Sequence, residues 1–323
     1  MKAVLVKEFG GPEKLTIGDI PSPKPNDDQV VIKVEFAGVN FPDTLIIQGL
    51  YQFKPEFPFS PGGEVSGIVK EVGKKVTHVK IGDRVISGCG WGGFAEEVVS
   101  FGTNTLKVPD GVDMRDAAVL LQTYATTYHA LVDRGNVKEG ETILILGAAG
   151  GTGTSAIHLS KILGLKVIAC ASTEEKLKYC KEQGADHVLL SGDPDFRGRL
   201  REFTKAVDLV YDPVGGSLSE SAFRALGFNG RHLVIGFATG EIPKLAWNLP
   251  LLKSASIVGV FWGGFFRTFP ERNAQNVRVL LEWLESGEFK PQIDSVYKME
   301  EVSKALARIG KGQVMGKLVL DLR

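Results

Sequence analysis

The fold is decided by the stretch Thr142-Ile-Leu-Ile-Leu-Gly-Ala-Ala-Gly-Gly-Thr-Gly-Thr154. It begins with an apolar run without polar alternation, which is typical of a strand buried on both faces. A glycine-rich turn follows, and the apolar residues of 155–163 recur at helical spacing until Gly164, a helix stop signal. A second apolar run at 165–172 completes a strand, turn, helix and strand.

The turn after the first strand has the composition of a phosphate-binding loop. Glycine permits the sharp reversal and leaves backbone N–H groups open to a pyrophosphate at the helix N-terminus. The strict G-x-G-x-x-G fingerprint is not met, because Ala149 stands at the middle glycine. The position between a buried strand and a helix still predicts a dinucleotide site, and the alternative is a tight turn that binds nothing. The candidate residues are Gly147, Gly150, Gly151, Thr152 and Gly153.

The end of the second strand bears on which dinucleotide fits. NAD sites usually place a carboxylate about 20 residues after the glycines, but this strand runs into Ser172 and Thr173. Ser172 can donate to a 2′-phosphate, and Lys176 supplies positive charge one turn into the next helix. The pattern favours NADPH over NADH. The alternative is that Ser172 or Thr173 is only a helix N-cap and Lys176 a solvated surface residue.

Composition places the chain among ordinary globular proteins. Its 323 residues allow two domains, and 38 basic and 38 acidic side chains cancel. Zero net charge argues against nucleic acid or an anionic membrane as a partner. The three cysteines form no C-x-x-C pair, which fits a reducing compartment. Since the chain shows neither a signal-peptide pattern nor an apolar run of membrane-spanning length, we expect a cytoplasmic protein.

The order of elements predicts two kinds of structure. Before residue 114, short strands with close turn signals predict a small barrel or sandwich. From 142 to about 259, strands alternate with helices, which predicts a doubly wound parallel sheet. Helices at 273–285 and 302–309 and a strand at 317–321 are expected near the C-terminus. The strands expected in the parallel sheet are 143–146, 166–171, 187–190, 207–211, 231–235 and 256–260.

Six motifs together resemble the medium-chain dehydrogenase/reductase superfamily. They are Ala37-Gly-Val-Asn-Phe-Pro-Asp43, Pro61-Gly-Gly-Glu-Val-Ser-Gly-Ile-Val69, Gly82-Asp-Arg-Val85, Gly147-Ala-Ala-Gly-Gly-Thr-Gly153, Asp212-Pro-Val-Gly-Gly216 and Gly316-Lys-Leu-Val-Leu320. The resemblance implies an α/β fold in which a Rossmann doubly wound parallel sheet is inserted into a GroES-like β-rich catalytic domain. The expected bounds are 1–121 and 263–323 for the catalytic domain and 122–262 for the Rossmann domain.

Within that superfamily, the sequence resembles the zinc-independent quinone oxidoreductase branch. Zinc-dependent members take ligands from a cysteine after the first Gly-Val and from a Gly-His-Glu motif, where this chain has Asn40 and Gly63. Neither is a zinc ligand, and Glu64 alone cannot complete a three-ligand site, so no metal is expected. One departure is Ser191, which stands where the branch commonly has a tyrosine.

The resemblance also implies roles for individual residues. Asn40 and Thr126 would lie near the nicotinamide, and backbone around four further residues would flank it. Tyr51 could hydrogen-bond a carbonyl oxygen and deliver a proton, although a half-buried structural tyrosine is an equal alternative. The aromatic run at 261–266 could line an apolar substrate pocket, or serve as a hinge and dimer contact. The flanking residues are Gly236, Phe237, Phe261 and Trp262.

These observations predict an NADPH-dependent enzyme that reduces quinones by hydride transfer from the nicotinamide. Reduction of an enone or enoyl double bond is the close alternative, because it would use the same architecture. An NADPH-binding structural or regulatory protein with little catalysis is the alternative of another class. The resemblance further implies a homodimer, for which the strand at 256–260 is the candidate edge.

Overall fold

The computed structural model describes all 323 residues, which divide into two compact units. Unit 1 comprises Met1–Gln122 and Phe265–Arg323, and unit 2 comprises Thr123–Gly264. The domain bounds expected from the sequence stay a prediction, and each unit is described by itself. None of the helices combines the length and apolar character that crossing a membrane requires.

The strands are numbered in chain order. They are β1 (Lys2–Leu5), β2 (Thr16–Asp19), β3 (Gln29–Val39), β4 (Glu64–Val72), β5 (Arg84–Gly88), β6 (Glu97–Phe101), β7 (Thr105–Lys107), β8 (Thr142–Ile145), β9 (Lys166–Ala171), β10 (His187–Leu190), β11 (Val207–Asp212), β12 (Leu226–Val234), β13 (Ser256–Gly259), β14 (Ile293–Lys298) and β15 (Lys317–Asp321).

The α-helices are numbered in the same way, and π-helical turns at Leu120–Ala125 and His129–Arg134 lie on either side of the third. They are α1 (Phe41–Ile46), α2 (Met114–Ala117), α3 (Thr126–Tyr128), α4 (Gly151–Ile162), α5 (Glu174–Glu182), α6 (Phe196–Phe203), α7 (Ser217–Ala225), α8 (Asn248–Lys253), α9 (Trp262–Thr268), α10 (Pro270–Ser286) and α11 (Val302–Gly310).

Unit 1 is built on a sheet with the strand order β14-β15-β3-β4-β5-β7, and β6 also pairs with β3. The pairs are antiparallel apart from β14 with β15. Along β3 the side chains that belong to the core are first the even-numbered Val30, Ile32 and Val34, and then the odd-numbered Ala37 and Val39. The change of parity coincides with a register shift against β4 between Val34 and Phe36, because a bulge moves the following side chains to the opposite face.

Unit 2 contains a six-stranded sheet with the order β10-β9-β8-β11-β12-β13, and every pair in it is parallel. This confirms the doubly wound parallel sheet predicted from the sequence. The strand order reverses direction between β8 and β11. In parallel sheets of this kind, ligands bind at the carboxyl ends of the strands beside such a reversal. The apolar strands supply the buried core, including Leu144, Ile168 and Val210.

Several expected boundaries are wrong in ways that have physical reasons. The strand β12 starts at 226 instead of the expected 231. The early residues of β12 include Gly227, Gly230 and Asn229, the last with φ of +61°, so they read as a turn. The strands β2, β7 and β14 were not expected, and β14 is a polar edge strand without a clear apolar signal. The aromatic run at 261–266 lies largely within α9.

We predict that Gly153→Ala destabilises the protein and that Gly150→Ala does so far less. A Cβ on Gly153 would lie 2.4 Å from the carbonyl oxygen of Gly147 and 2.5 Å from Cα of Ala148, both backbone atoms. A Cβ on Gly150 would meet only the oxygen of Gly147, at 3.5 Å. Urea unfolding should show a loss above about 2 kcal/mol for the first variant and below about 1 kcal/mol for the second. Equal losses would contradict this packing.

Candidate active site

The predicted phosphate-binding turn joins β8 to α4 in unit 2. Gly147 has φ of +58°, and the N–H of Gly150 donates to its carbonyl oxygen at 3.0 Å. Gly150 is then the N-cap of α4, whose first turn contains Gly151, Thr152 and Gly153. The first N–H groups of a helix have no carbonyl partner within it, so this end is suited to an anion.

The space beside Gly150 is largely free of protein atoms. An added Cβ there would contact a single atom in the protein, at 3.5 Å, so packing within unit 2 does not require glycine at this position. Gly153 differs, because its own backbone contacts forbid a side chain. Glycine is therefore present at the two positions for different reasons. Gly153 lets α4 approach the turn, and Gly150 leaves space beside the helix N-terminus.

The other predicted cofactor residues follow neighbouring strands of the same parallel sheet. Ser172 follows β9, Gly236 and Phe237 follow β12, and Phe261 and Trp262 follow β13. Because the carboxyl ends of parallel strands meet at one edge, all of these residues lie on the edge that carries the glycine turn. Phe237 and Phe261 are 36% and 49% exposed, whereas Trp262 is 7% exposed.

Contacts between loops bring part of this set together. Added Cβ atoms would lie 2.8 Å from Val214 at Gly147, and 3.0 Å from the ring of Phe237 at Gly215. The loop after β11 thus packs between the glycine turn and the residues after β12. The structure brings these segments together within unit 2, while Ser172 and Lys176 lie further along the edge after β9.

A buried carboxylate that the sequence did not single out holds the loop after β11. Asp212 Oδ1 accepts the N–H groups of Val214 and Gly215, both at 2.9 Å. Its Oδ2 accepts the Ser219 hydroxyl at 2.5 Å and His232 Nε2 at 3.0 Å. Burial alone would raise the pKa of Asp212, but these hydrogen bonds hold it below its usual range. The Asp-Pro-Val-Gly-Gly motif was the available signal, although only for family membership.

The tip of β9 carries no carboxylate. Ser172 is exposed, and Thr173 is the N-cap of α5, with its hydroxyl accepting the N–H of Lys176 at 3.3 Å. Of the two candidates for the helix N-cap, Ser172 and Thr173, it is therefore Thr173 that caps α5. Lys176 is partly exposed in the first turn of α5. Its predicted contact with a 2′-phosphate stays a prediction.

Thr126 begins α3, and its neighbour fixes that short helix to the sheet. The hydroxyl of Thr127 lies 2.7 Å from the hydroxyl of Ser155 in α4 and 2.8 Å from that of Tyr211 in β11. Thr126 itself is partly exposed. The position of Thr126 in unit 2 is thus well defined, and its predicted role near the nicotinamide stays a prediction.

In unit 1, Asn40 belongs to a buried polar cluster, which also contains Asp43, Glu64 and Lys317. Asn40 Nδ2 donates to the carbonyl oxygen of Gly38 at 3.1 Å and to Glu64 Oε1 at 2.9 Å. Its Oδ1 accepts a hydrogen bond from Lys317 Nζ. Both amide hydrogens are therefore engaged within the protein. The predicted contact of Asn40 with the nicotinamide stays a prediction, and a positioning role suits these bonds better.

Lys317 neutralises the Glu64 carboxylate at the centre of the cluster. Its Nζ lies 3.1 Å from Glu64 Oε1 and 3.4 Å from the carbonyl oxygen of Val39. Glu64 Oε2 accepts the N–H of Gln122 at 2.8 Å. Glu64 is 1% and Lys317 4% exposed, so this is a buried ion pair whose polar atoms are hydrogen-bonded.

Tyr51 lies on an aromatic loop surface formed by Tyr51, Phe53, Trp91 and Arg267. Ring centroids are 5.9 Å apart for Tyr51 and Phe53, and 6.4 Å for Phe53 and Trp91. The Arg267 guanidinium lies 4.7 Å from the centroid of Phe53. Burial and the nearby Asp43 charge raise the pKa of Tyr51, while Arg267 opposes the rise. Tyr51 is thus a protonated, half-buried phenol beside a cation and two aromatic faces.

Comparisons with known proteins decide the family. The alcohol dehydrogenase GroES-like domain matches residues 26–110, and the zinc-binding dehydrogenase family matches residues 151–278. Quinone oxidoreductase-like protein 2 of Bos taurus is 36% identical over 330 residues, which cover 100% of this chain and 93% of that protein. The chain belongs to the medium-chain dehydrogenase/reductase superfamily.

Further members of the superfamily are similar over nearly the whole chain. The quinone oxidoreductase of Homo sapiens is 34% identical over 327 residues, covering 100% of this chain and 98% of that protein. A mycobacterial structure described as complexed with NADPH has a TM-score of 0.92 at 32% identity and covers 100% of both chains. The GroES-like region lies in unit 1 and the Rossmann-like sheet in unit 2, as the resemblance implied.

The zinc in one family description does not fit the residues present. Asn40 and Gly63 stand where zinc-dependent members have ligands, and the Glu64 carboxylate is engaged by Lys317, Asn40 and Gln122. No group of three His, Cys, Asp or Glu side chains is arranged to hold a metal ion. The ammonium of Lys317 supplies the positive charge in this cluster.

We predict that Lys317→Met is strongly destabilising and that Glu64→Gln partly rescues it. Removing the ammonium leaves a buried carboxylate without its counter-ion, which typically costs about 3–5 kcal/mol. Lys298→Met is the matched control, because the Lys298 side chain is 61% exposed and its partner Asp321 keeps a second cation in Arg323, so the loss should be at most about 1 kcal/mol. Urea unfolding of the single and double variants measures the coupling. Additive losses for Lys317→Met and Glu64→Gln would contradict the pairing.

Asp43 should give the protein a pH-dependent stability. Burial raises the pKa of Asp43 from 3.8 to about 7, against the opposing effect of the N–H groups of Asn40 and Gly62. A raised carboxyl pKa contributes stability fully below 3.8 and loses that contribution as the pH rises through about 7. Between pH 5 and 8 the unfolding free energy of the wild type should therefore fall more steeply than that of Asp43→Asn. Parallel pH profiles would show that Asp43 is charged throughout.

Proposed function

We propose that this protein is an NADPH-dependent oxidoreductase that reduces quinones by hydride transfer. The observation that carries the cofactor assignment is the open space at Gly150 beside the N-terminus of α4, on the carboxyl edge of a Rossmann-like sheet. The tip of β9, where Ser172 follows Ala171, carries no carboxylate, and this supports NADPH over NADH. The NADPH complex among similar structures supports the cofactor, and the names of two relatives support a quinone as the acceptor.

Different segments along this edge of the sheet would bind different parts of the cofactor. The N–H groups of α4 would hold the pyrophosphate, and Ser172 and Lys176 would hold the 2′-phosphate. Backbone after β12 and β13 would flank the nicotinamide, with Phe237 and Phe261 shielding it from water. When bound, NADPH supplies the hydride. Asp212 would have a positioning role without contacting the cofactor, because it fixes the loop against which the glycine turn packs.

The aromatic loop surface suits a planar, electron-poor acceptor. The rings of Phe53 and Trp91 offer faces for stacking, and the Tyr51 phenol can donate to an oxygen that gains negative charge. Arg267 stabilises that charge further and can favour acceptors with an acidic substituent. A quinone is electrophilic without metal activation, which matches a cluster whose only cation is Lys317.

We infer a homodimer formed along β13. This strand ends the six-stranded sheet, and Ile257 on it is 47% exposed. An apolar edge strand with unpaired backbone groups readily pairs with another strand, here that of a second copy. The three cysteines are all free, which supports the reducing, cytoplasmic compartment expected from the sequence.

The experiment that tests the function is NADPH oxidation, followed by absorbance against ortho- and para-quinones and simple enones, with NADH in parallel. Turnover of quinones with NADPH preferred is the expected result. Turnover of enones alone would replace the proposal with double-bond reduction. Tight NADPH binding without turnover of any acceptor would favour a structural or regulatory protein.

We predict that two substitutions separate the parts of the cofactor site. Lys176→Ala should weaken NADPH at least about tenfold and leave NADH nearly unchanged, because only NADPH carries the 2′-phosphate. Gly150→Ala should weaken both cofactors alike, since both carry the pyrophosphate. Lys178→Ala, on the same helix with an exposed side chain, is the control. Equal loss of NADPH and NADH in Lys176→Ala would remove the 2′-phosphate assignment.

A further inference from the structure

A second cavity lies in unit 2, away from the cofactor edge. It measures about 330 Å³ and lies among α6, α7 and α8. Its walls include residues 204–206, just before β11, and residues 226–228, at the start of β12. Strands that begin at the cavity end at the glycine-turn edge, so the cavity lies on the opposite edge of the sheet.

The lining of this cavity is basic and contains no carboxylate. Five cationic side chains contribute to it, although the whole protein has zero net charge. Lys253 Nζ donates to the carbonyl oxygen of Leu226 at 2.6 Å, which holds the ammonium at the cavity wall. Arg224 pairs with Glu220, which lies outside the lining. The five are Arg197, Arg201, Lys205, Arg224 and Lys253.

These cations repel one another. Burial lowers the pKa of Lys253, and the charges of Arg197 and Arg224 lower it further. Like charges held together destabilise a protein unless an anion lies between them. Cations are often found at helix C-termini, where the helix dipole attracts them. That explanation does not cover Arg197, which is the second residue of α6 and therefore lies at the unfavourable end.

The rim of the cavity adds an aromatic face. Phe228 is 75% exposed although it is a large apolar residue, and it lines the cavity beside Gly227. An exposed ring next to clustered arginines suits a ligand that has a flat base and several phosphates, since bases stack on aromatic rings and guanidinium groups bind phosphate oxygens. The volume falls within the range of small-molecule sites, about 300–1,000 Å³.

We propose that this cavity binds a nucleoside di- or triphosphate at a site separate from the dinucleotide site. The phosphates lie among Arg197, Arg201 and Lys253, and the base stacks on Phe228. The proposal is independent of the quinone assignment, because none of these residues belongs to the cofactor edge or to the aromatic loop surface.

Isothermal titration with ATP and with inorganic triphosphate tests the phosphate part, at low salt and with saturating NADPH present throughout. The wild type should bind both ligands, more weakly as salt is added. The double variant Arg201→Glu/Lys205→Glu should weaken both at least about tenfold. Arg199→Glu is the control on the same helix, since Arg199 does not line the cavity, and it should bind as the wild type does. No binding by the wild type, or equal binding by the double variant, would overturn the proposal.

Phe228→Ala tests the nucleoside part. It should weaken ATP and leave triphosphate unchanged, because only ATP carries a base. Equal affinity of the wild type for ATP and triphosphate, unaffected by Phe228→Ala, would overturn the nucleoside assignment. Cavity-dependent binding of a single-stranded RNA oligonucleotide more tightly than ATP would replace the proposal with a nucleic-acid surface.

Discussion

The close contact between Gly153 and the backbone of Gly147 and Ala148 determines where α4 begins. With a side chain at 153, the helix would have to move away from the turn. Because the helix starts this close to β8, its free N–H groups point to the carboxyl edge of the sheet. Gly150 can then remain open, and the loop held by Asp212 packs against the other side of the turn. The cofactor assignment depends on this arrangement.

Unit 1 depends on a different constraint: the charge of a buried glutamate has to be compensated within the protein. Glu64 is stabilised by Lys317, Asn40 and the backbone of Gln122. Gly38 makes room for it, because a Cβ there would lie 2.3 Å from Glu64 Oε1. In zinc-dependent relatives this region is expected to serve a metal, whereas here an internal ammonium supplies the charge. In the proposed function, Tyr51, Phe53 and Trp91 provide the surface for the acceptor.

The sequence predicted the parallel sheet well because each of its buried strands is a nearly unbroken apolar run. It predicted polar or glycine-rich strands badly, since β14 is fixed by pairing with β15 and the start of β12 by pairing with β11, and neither by local preference. The candidate cofactor residues were predicted from glycine spacing and family motifs, and their roles stay predictions. The roles of Asp212 and Lys317 were missed, because a buried partner far away in sequence leaves no local pattern. The basic cavity was not predicted for the same reason, as its cations come from three helices and the loop before β11.

The most direct test of the account is a single-turnover measurement of hydride transfer. The protein is loaded with one equivalent of NADPH, deuterated at C4 in one or the other position, and mixed with a quinone. We predict rapid oxidation of NADPH that is measurably slower for one of the two deuterated forms, because a bound nicotinamide transfers its hydride from one face. Absence of oxidation, or equal rates for unlabelled and both labelled forms in a reaction limited by chemistry, would contradict it.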